Sequence, residues 1–597
     1  MSSLQPTAEA ASPPTEGVPR PWSLDSGALL RLPVYAWLLV LVLAPNALLL
    51  LTSFMASSGG NVVYEPSLKN YIALLGSYTV QFLAMKTMAV SLGAALAATA
   101  ISYPLAFYIS RHLAKGKSLA ALLIVIPVWI SLLMRIFAWR VILGEKGLLN
   151  SLLLTSGIVS EPSSLFLYTS FSVLLTLTSI AIPYVFIAAY TAIERVPQSL
   201  IEAARDNGAS ALQTFTTVIW PLTRQGTAIG FALALLIAVG DFVTPAMVGG
   251  LNGTMLGTVI SSQFGISGNW PLGAAMSVYL LVLVIGIVAV VLWLTRSRGI
   301  LTEVDAGAIP HVEPWSRIGA AAKVGRVVCA ILFVLPYIYL YAPLAVIALF
   351  SFNDSTIQAL PLAGFTWKWY QALPGNTALL DAMWLTFRLA LLTTLIACVV
   401  GTAFAFALAT WHSSLSSVLE STIALPLAVP GVVLGISMVM MATLLHIPPG
   451  MGRLLLGHLV FVMPVILLVV ANRLRRVDPN IALASRDLGA GWWPTLWRIQ
   501  LPMISSAIFG GALLGFTLSV DEVMVSLFLT GSTPTLPVFV WNQTRFGFTP
   551  SVNAIFTCIG LVSLVAVIGG QRLLGSITSL QPSDQTAPAN DVLGATS

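Results

Sequence analysis

Twelve apolar stretches divide this chain, each long enough to cross the roughly 30 Å of hydrocarbon in a bilayer, and they constrain the fold more than any other feature. They fall near residues 34–54, 83–110, 118–143, 168–193, 226–247 and 272–295, and again near 327–350, 384–410, 418–444, 455–472, 505–527 and 553–574. Backbone N–H and C=O groups have no water to bond inside lipid, so each stretch is expected to be a helix. With 57% hydrophobic and 8% charged residues and a mean hydropathy of +0.91, a soluble globular fold is excluded. The expectation is an all-α membrane protein of twelve transmembrane helices. An even number of spans per half makes the two six-helix repeats parallel rather than inverted.

The stretches group as a first repeat over 31–297, a charged linker over 298–325 and a second repeat over 326–580. Residues 1–30, with Pro13, Pro14, Pro19 and Pro21, and residues 581–597 read as disordered tails. The first apolar run is too long, and its preceding tail too extended, for a cleaved signal peptide. Orientation follows from Lys and Arg in the short loops. With both termini inside, 19 of the 28 basic residues collect on the cytoplasmic side, among them Arg111, Lys115, Lys117, Arg195, Arg205, Arg473, Arg475 and Arg486. The net charge of +6 is therefore a consequence of topology, and no nucleic-acid partner is expected.

Two of those cytoplasmic loops carry the same punctuation 281 positions apart. The first reads Ile201-Glu202-Ala203-Ala204-Arg205-Asp206-Asn207-Gly208 and continues to Pro221; the second reads Ala482-Leu483-Ala484-Ser485-Arg486-Asp487-Leu488-Gly489 and continues to Pro502. Each glycine precedes its proline by thirteen residues. The pattern spells a short helix, a glycine turn, an amphipathic stretch and a proline stop. A polar helix-turn-helix repeated between hydrophobic blocks is a docking surface for another protein.

The spacing of these loops resembles the coupling loop of permease subunits of ATP-binding cassette (ABC) importers. Glu202, Ala203, Ala204, Gly208, Val218 and Pro221 match it, with Trp220 where the family has Leu; Ala484, Gly489, Ile499, Leu501 and Pro502 match it again, with Leu483 where the family has Glu. The likeness narrows to spermidine/putrescine-type importers over Pro127 to Leu143, Gly240-Asp241-Phe242-Val243-Thr244-Pro245 and Asn269 to Ala275. In the second half it runs through Ser351-Phe352-Asn353, Phe365 to Tyr370, Pro430 to Ser437 and Ser519-Val520-Asp521-Glu522-Val523. The chain thus looks like both partner permeases of a polyamine or opine importer fused head to tail, with the type I importer fold.

The resemblance implies a non-catalytic subunit of the bacterial inner membrane that forms a translocation path for polyamines or related small nitrogenous solutes. An extracytoplasmic solute-binding protein would deliver the substrate. No Gly-x-x-x-x-Gly-Lys-Ser/Thr phosphate loop occurs in the sequence. Two separate ATPase subunits would then bind ATP and Mg and dock at the loops 194–225 and 475–504, with no cofactor in this chain. A twelve-span secondary transporter, or an iron(III)-type fused ABC permease, is the alternative. Gly431 and Leu483 stand where the family commonly has carboxylates, which weakens the case for a polycation.

Ionisable side chains in hydrocarbon should line water, pair or work. Asp241 and Asp521 lie about fifteen and sixteen residues into their spans, 280 apart, with Glu522 beside the second. Two readings stay open: these carboxylates receive a substrate ammonium, or each caps a short helix beginning near Phe242 or Val523. Arg135 either pairs with them, snorkels to the surface or meets a substrate carboxylate, while Trp129 and Tyr184 offer aromatic faces to a cation. Cys329, Cys398 and Cys558 read as small buried apolar residues. The five histidines, scattered among loops and helix ends, lack metal-ligand spacing.

Overall fold

A computed structural model describes residues 35–58, 61–113, 115–295, 322–356, 362–409, 422–423, 425–546 and 550–562, with 565 and 569. The expected tails and residues 298–321 of the expected linker lie outside the described residues. In the first repeat, helix α1 (Tyr35–Ser53) leads into a two-stranded antiparallel hairpin, β1 (Met55–Ser58) and β2 (Asn61–Pro66), which adds a little sheet to an otherwise helical chain. Then come α2 (Lys69–Gly76), α3 (Tyr78–His112), α4 (Lys117–Val125), α5 (Leu132–Leu143), α6 (Leu148–Thr155), α7 (Ser170–Glu194), α8 (Gln198–Asp206), α9 (Ala211–Gly240), α10 (Leu256–Phe264) and α11 (Trp270–Leu294). The second repeat has α12 (Ala322–Phe350), α13 (Thr377–Ala409), α14 (Gly431–Leu444), α15 (Met451–Leu474), α16 (Pro479–Asp487), α17 (Trp492–Asp521), α18 (Met524–Leu529), α19 (Leu536–Phe546) and α20 (Ser551–Val562).

Among the described residues, nine helices are long and apolar enough to cross a membrane, ten if one bent pair counts as a span. The expected spans at 418–444 and 553–574 are described only in part, as α14 and α20. Three boundaries differ from the sequence reading. The span expected at 118–143 is broken: Pro127 opens a single 3-10 turn, Ile130 and Ser131 are extended (ψ 133° and 132°), and the helical segments on either side meet at 94°. The fifth span of each half begins earlier than expected and ends at Gly240 or Asp521 rather than at 247 or 527. Pro221 and Pro502 do not stop a helix, because each sits just after a π turn, Phe215–Ile219 or Leu496–Gln500. Trp220 N–H bonds Phe215 O, and Leu501 N–H bonds Leu496 O, so the ladder slips by one residue where proline has no N–H to give.

The repeats are parallel copies down to single hydrogen bonds. Thr87 Oγ1 on α3 accepts from Leu256 N at 2.8 Å, as Thr386 Oγ1 on α13 accepts from Leu536 N at 2.7 Å. The hydroxyls of Ser53 and Tyr71 meet at 2.7 Å, those of Ser351 and Tyr370 at 2.6 Å. Small residues let helices close on one another where lipid offers no hydrophobic gain from association. A Cβ added at Gly230 of α9 would lie 2.8 Å from Ala188 Cβ and 3.1 Å from Val185 Cα on α7.

The halves also exchange their first helices. Trp37, Leu38 and Val42 of α1 are buried in one cluster with Leu389, Met438 and Leu459 of the second repeat. Conversely, α12 packs on α3, α4 and α5. Tyr337 and Tyr341 donate to Ala120 O (2.9 Å) and Leu123 O (2.7 Å), and Tyr339 donates to Leu175 O. Of the cysteines expected to be buried, Cys398 is half-buried and Cys558 is exposed, while Cys329 lies outside the residues whose side chains are described.

Candidate functional site

At the ends of the long helices, α8 and α16 form the first arms of two hairpins with the same turn. Each helix closes with a glycine in the left-handed region, Gly208 at φ 79° and Gly489 at φ 85°. The glycine N–H bonds back to Arg205 O or Arg486 O (2.8 Å each), and the next N–H to Ala204 O (3.0 Å) or Ser485 O (3.1 Å). That pair of bonds is a Schellman turn, which satisfies helix-end carbonyls and needs positive φ at the glycine. Ser210 then caps α9 in a reciprocal box with Gln213.

One face of α8 is anchored: Ile201 packs with Val196 and Ile219 against Phe107 and Phe215. The other face is open. Glu202, Ala203, Gly208 and Pro221 are exposed and Ala204 half-buried; in the second loop Leu483, Ala484, Gly489 and Pro502 are exposed. Glu202 accepts from Gln198 of its own helix at 3.2 Å. The second loop adds exposed tryptophans, Trp492 and Trp493 with ring centroids 4.8 Å apart and Trp493 and Trp497 at 6.1 Å. These aromatic residues were not singled out from the sequence, although their clustering in a polar loop was visible there.

The second group lies where the fifth span of each half meets the third span of the other, Asp521 at the break before Leu132 and Gly240 at Pro430 before α14. Asp241 is buried at the end of α9 and accepts from Val243 N (2.8 Å), Thr244 N (2.9 Å) and the Thr244 hydroxyl. Glu522 accepts from Val525 N at 2.8 Å. Both residues end their helix with nearly the same backbone, φ −82° and ψ 111° against −71° and 115°. The equivalent of Asp241 is therefore Glu522, at the 281-residue offset of the loops, and not Asp521 at 280. The two aspartates 280 apart are not equivalents of each other.

Asp521 caps a helix of the opposite half. Both its oxygens accept from Leu132 N, the first amide of α5, at 3.0 and 2.9 Å. At the matching junction Gly240 stands in its place: a Cβ there would lie 3.1 Å from Pro430 Cα and 3.3 Å from Gly431 N. One junction is thus tied by a carboxylate and its mirror is closed by backbone contact.

Arg135, one turn into α5, is 5% exposed and interacts electrostatically with Asp241, Asp521 and Tyr184. It forms no ion pair within 4.0 Å among the described residues, and its Nε and Nη1 are buried without a partner. Asp521, Glu522 and Tyr184 are half-buried. Trp129 is half-buried and packs on a core cluster drawn from both repeats. His458 was expected near a helix end; it lies inside α15, with Nδ1 2.7 Å from Ser519 Oγ and Nε2 2.9 Å from Ser526 Oγ, bridging the break between α17 and α18. No cluster of three potential metal ligands occurs among the described residues.

Residues 104–298 and 400–577 each match the family described as the binding-protein-dependent transport system inner membrane component. The spermidine/putrescine transport system permease protein PotB of Haemophilus influenzae is 38% identical over 251 residues, which are 42% of this chain and 87% of that protein. The permease protein PotC of the same kind of system from Escherichia coli is 34% identical over 238 residues, 40% of this chain and 90% of its own length. The crystal structure of a bacterial alginate ABC transporter in complex with an alginate pentasaccharide-bound periplasmic protein aligns with a TM-score of 0.39 at 17% identity, over 45% of this chain and 93% of that one.

Proposed function

The chain belongs to the binding-protein-dependent transport system inner membrane component family, and from that premise we propose that it carries small amine-bearing solutes, polyamines or their relatives, inward. It is a multi-pass, non-catalytic permease of a bacterial ABC importer with both permease halves in one polypeptide. The observation that carries the mechanism is the pair of exposed hairpins with the same glycine turn 281 residues apart. On this reading two ATPase subunits, holding ATP and Mg, seat on α8 and α16 from the cytoplasm, and a solute-binding protein docks on the opposite face. Closure of the ATPases pushes the hairpins, and π turns at Phe215–Ile219 and Leu496–Gln500 carry that push directly into α9 and α17.

Those two helices end at Gly240 and Asp521, each against the third span of the other half, so a displacement at the loops reaches the groups at the junction between halves. The relatives named as spermidine/putrescine permeases and the half-buried carboxylates Asp521 and Glu522 support an amine-bearing cargo. The test is uptake of radiolabelled putrescine and amino acids by cells expressing the chain with its ATPase and binding protein. Vanadate-sensitive accumulation that needs both partners is expected. Accumulation that persists without any ATPase would overturn the reading in favour of an ion-driven carrier.

A further inference from the structure

Each carboxylate around the junction already accepts hydrogen bonds from nearby protein groups and keeps acceptor capacity to spare. Asp241 takes two amides and a hydroxyl of its own turn, Asp521 takes Leu132 N with both oxygens, and Glu522 takes Val525 N with Oε1. Arg135 is in the opposite condition. Its guanidinium is buried among these groups, yet Nε and Nη1 donate to nothing among the described residues. A buried guanidinium with idle donors is costly, and the cost is recovered only when an acceptor arrives. A fork of planar N–H groups is matched by a carboxylate or another oxyanion.

Resting on the reading of the chain as an importer for amine-bearing solutes, we propose that Arg135 is a specificity-determining residue that takes an oxyanion of the cargo. The cargo is then an amine that also carries a carboxylate, an amino acid or a derivative of one, rather than a pure polycation. Its ammonium would face the half-buried Asp521 and Glu522, and its carboxylate would face α5. A diamine would bring a second positive charge toward Arg135 with no acceptor to offer it, so the residue both selects and rejects.

The probe is thermal stabilisation of the purified full-length chain in lipid nanodiscs by 4-aminobutanoate, ornithine and putrescine. The wild type should be stabilised by the two amino acids at concentrations about 10- to 100-fold lower than by putrescine, the range set by a charge-assisted hydrogen bond. Arg135→Gln should erase that preference while leaving any response to putrescine equal or stronger. Arg135→Lys keeps the charge without the fork and should lose most of it, and it serves where Arg135→Gln does not fold. Equal stabilisation by putrescine, a preference unchanged in either variant, or no response to any amino acid would overturn the proposal. In the same preparation, stimulation of ATP hydrolysis by the ATPases and loaded binding protein tests the importer reading separately. If stimulation holds while the stabilisation fails, only the assignment to Arg135 falls.

Discussion

Gly208→Val should uncouple the first hairpin from its ATPase while leaving the membrane fold intact. A Cβ at this position would meet no atom within 4 Å, so steric crowding contributes nothing and the whole effect lies in the backbone. At φ 79° an L-residue pays about 1–2 kcal/mol, and a β-branched one is a true outlier there. The turn is held by two hydrogen bonds, Gly208 N to Arg205 O and Ala209 N to Ala204 O, with a net worth of about 0.5–1.5 kcal/mol each. Strain and support are therefore comparable, and the helix–turn–helix angle is expected to be lost in a large share of molecules. Gly208→Asn separates backbone from chemistry, because asparagine tolerates the left-handed region. The assay is ATPase co-purification and ATP-driven uptake, with monodispersity in detergent as the control for folding. Uptake should fall at least about tenfold for valine, the equivalent of 1.4 kcal/mol, and stay near normal for asparagine. Normal uptake by Gly208→Val, or equal damage from asparagine, would refute the argument. The same series at Gly489, φ 85° and equally open, should give the same ranking.

Glu202→Leu should impair ATPase association more than Leu483→Glu, since Glu202 is an exposed hydrogen-bond acceptor and the Leu483 side chain offers apolar surface; equal tolerance in a pull-down counts against unequal docking. Asp241→Asn should fold and transport normally because asparagine caps as well as aspartate, whereas Asp241→Ala should cost about 0.5–2 kcal/mol, read as a lower unfolding temperature. A loss of uptake by Asp241→Asn at unchanged stability would return that residue to the substrate path. His458→Phe should destabilise the second repeat by about 1–3 kcal/mol, since Ser519 and Ser526 would lose their buried partner; a melting temperature equal to wild type would show that the bridge across the break is dispensable.

The hairpins were legible because their determinants are local. A glycine fixed by positive φ, a capping serine and an amphipathic turn act within a dozen residues, so Gly208 and Gly489 could be found by spacing alone. The break in the third span of the first half was not legible. Pro127 alone is compatible with a continuous helix, and the extended Ile130 and Ser131 are stabilised by a carboxylate 389 residues away. The roles of Pro221 and Pro502 were misread for a related reason: a π turn is a property of the hydrogen-bond ladder and leaves no residue signature.

Hydrophobic length and loop charge determined that this chain crosses the membrane repeatedly and is doubled, because burial in lipid tolerates little else and acts on each segment by itself. Only the tertiary structure decided which carboxylate corresponds to which. It turned Asp521 toward Leu132 in the other half, matched Asp241 with Glu522, and left Arg135 buried between them with idle donors. Hydrogen bonding in a low-dielectric interior depends on which groups meet, and that is settled by the packing of two halves distant in sequence.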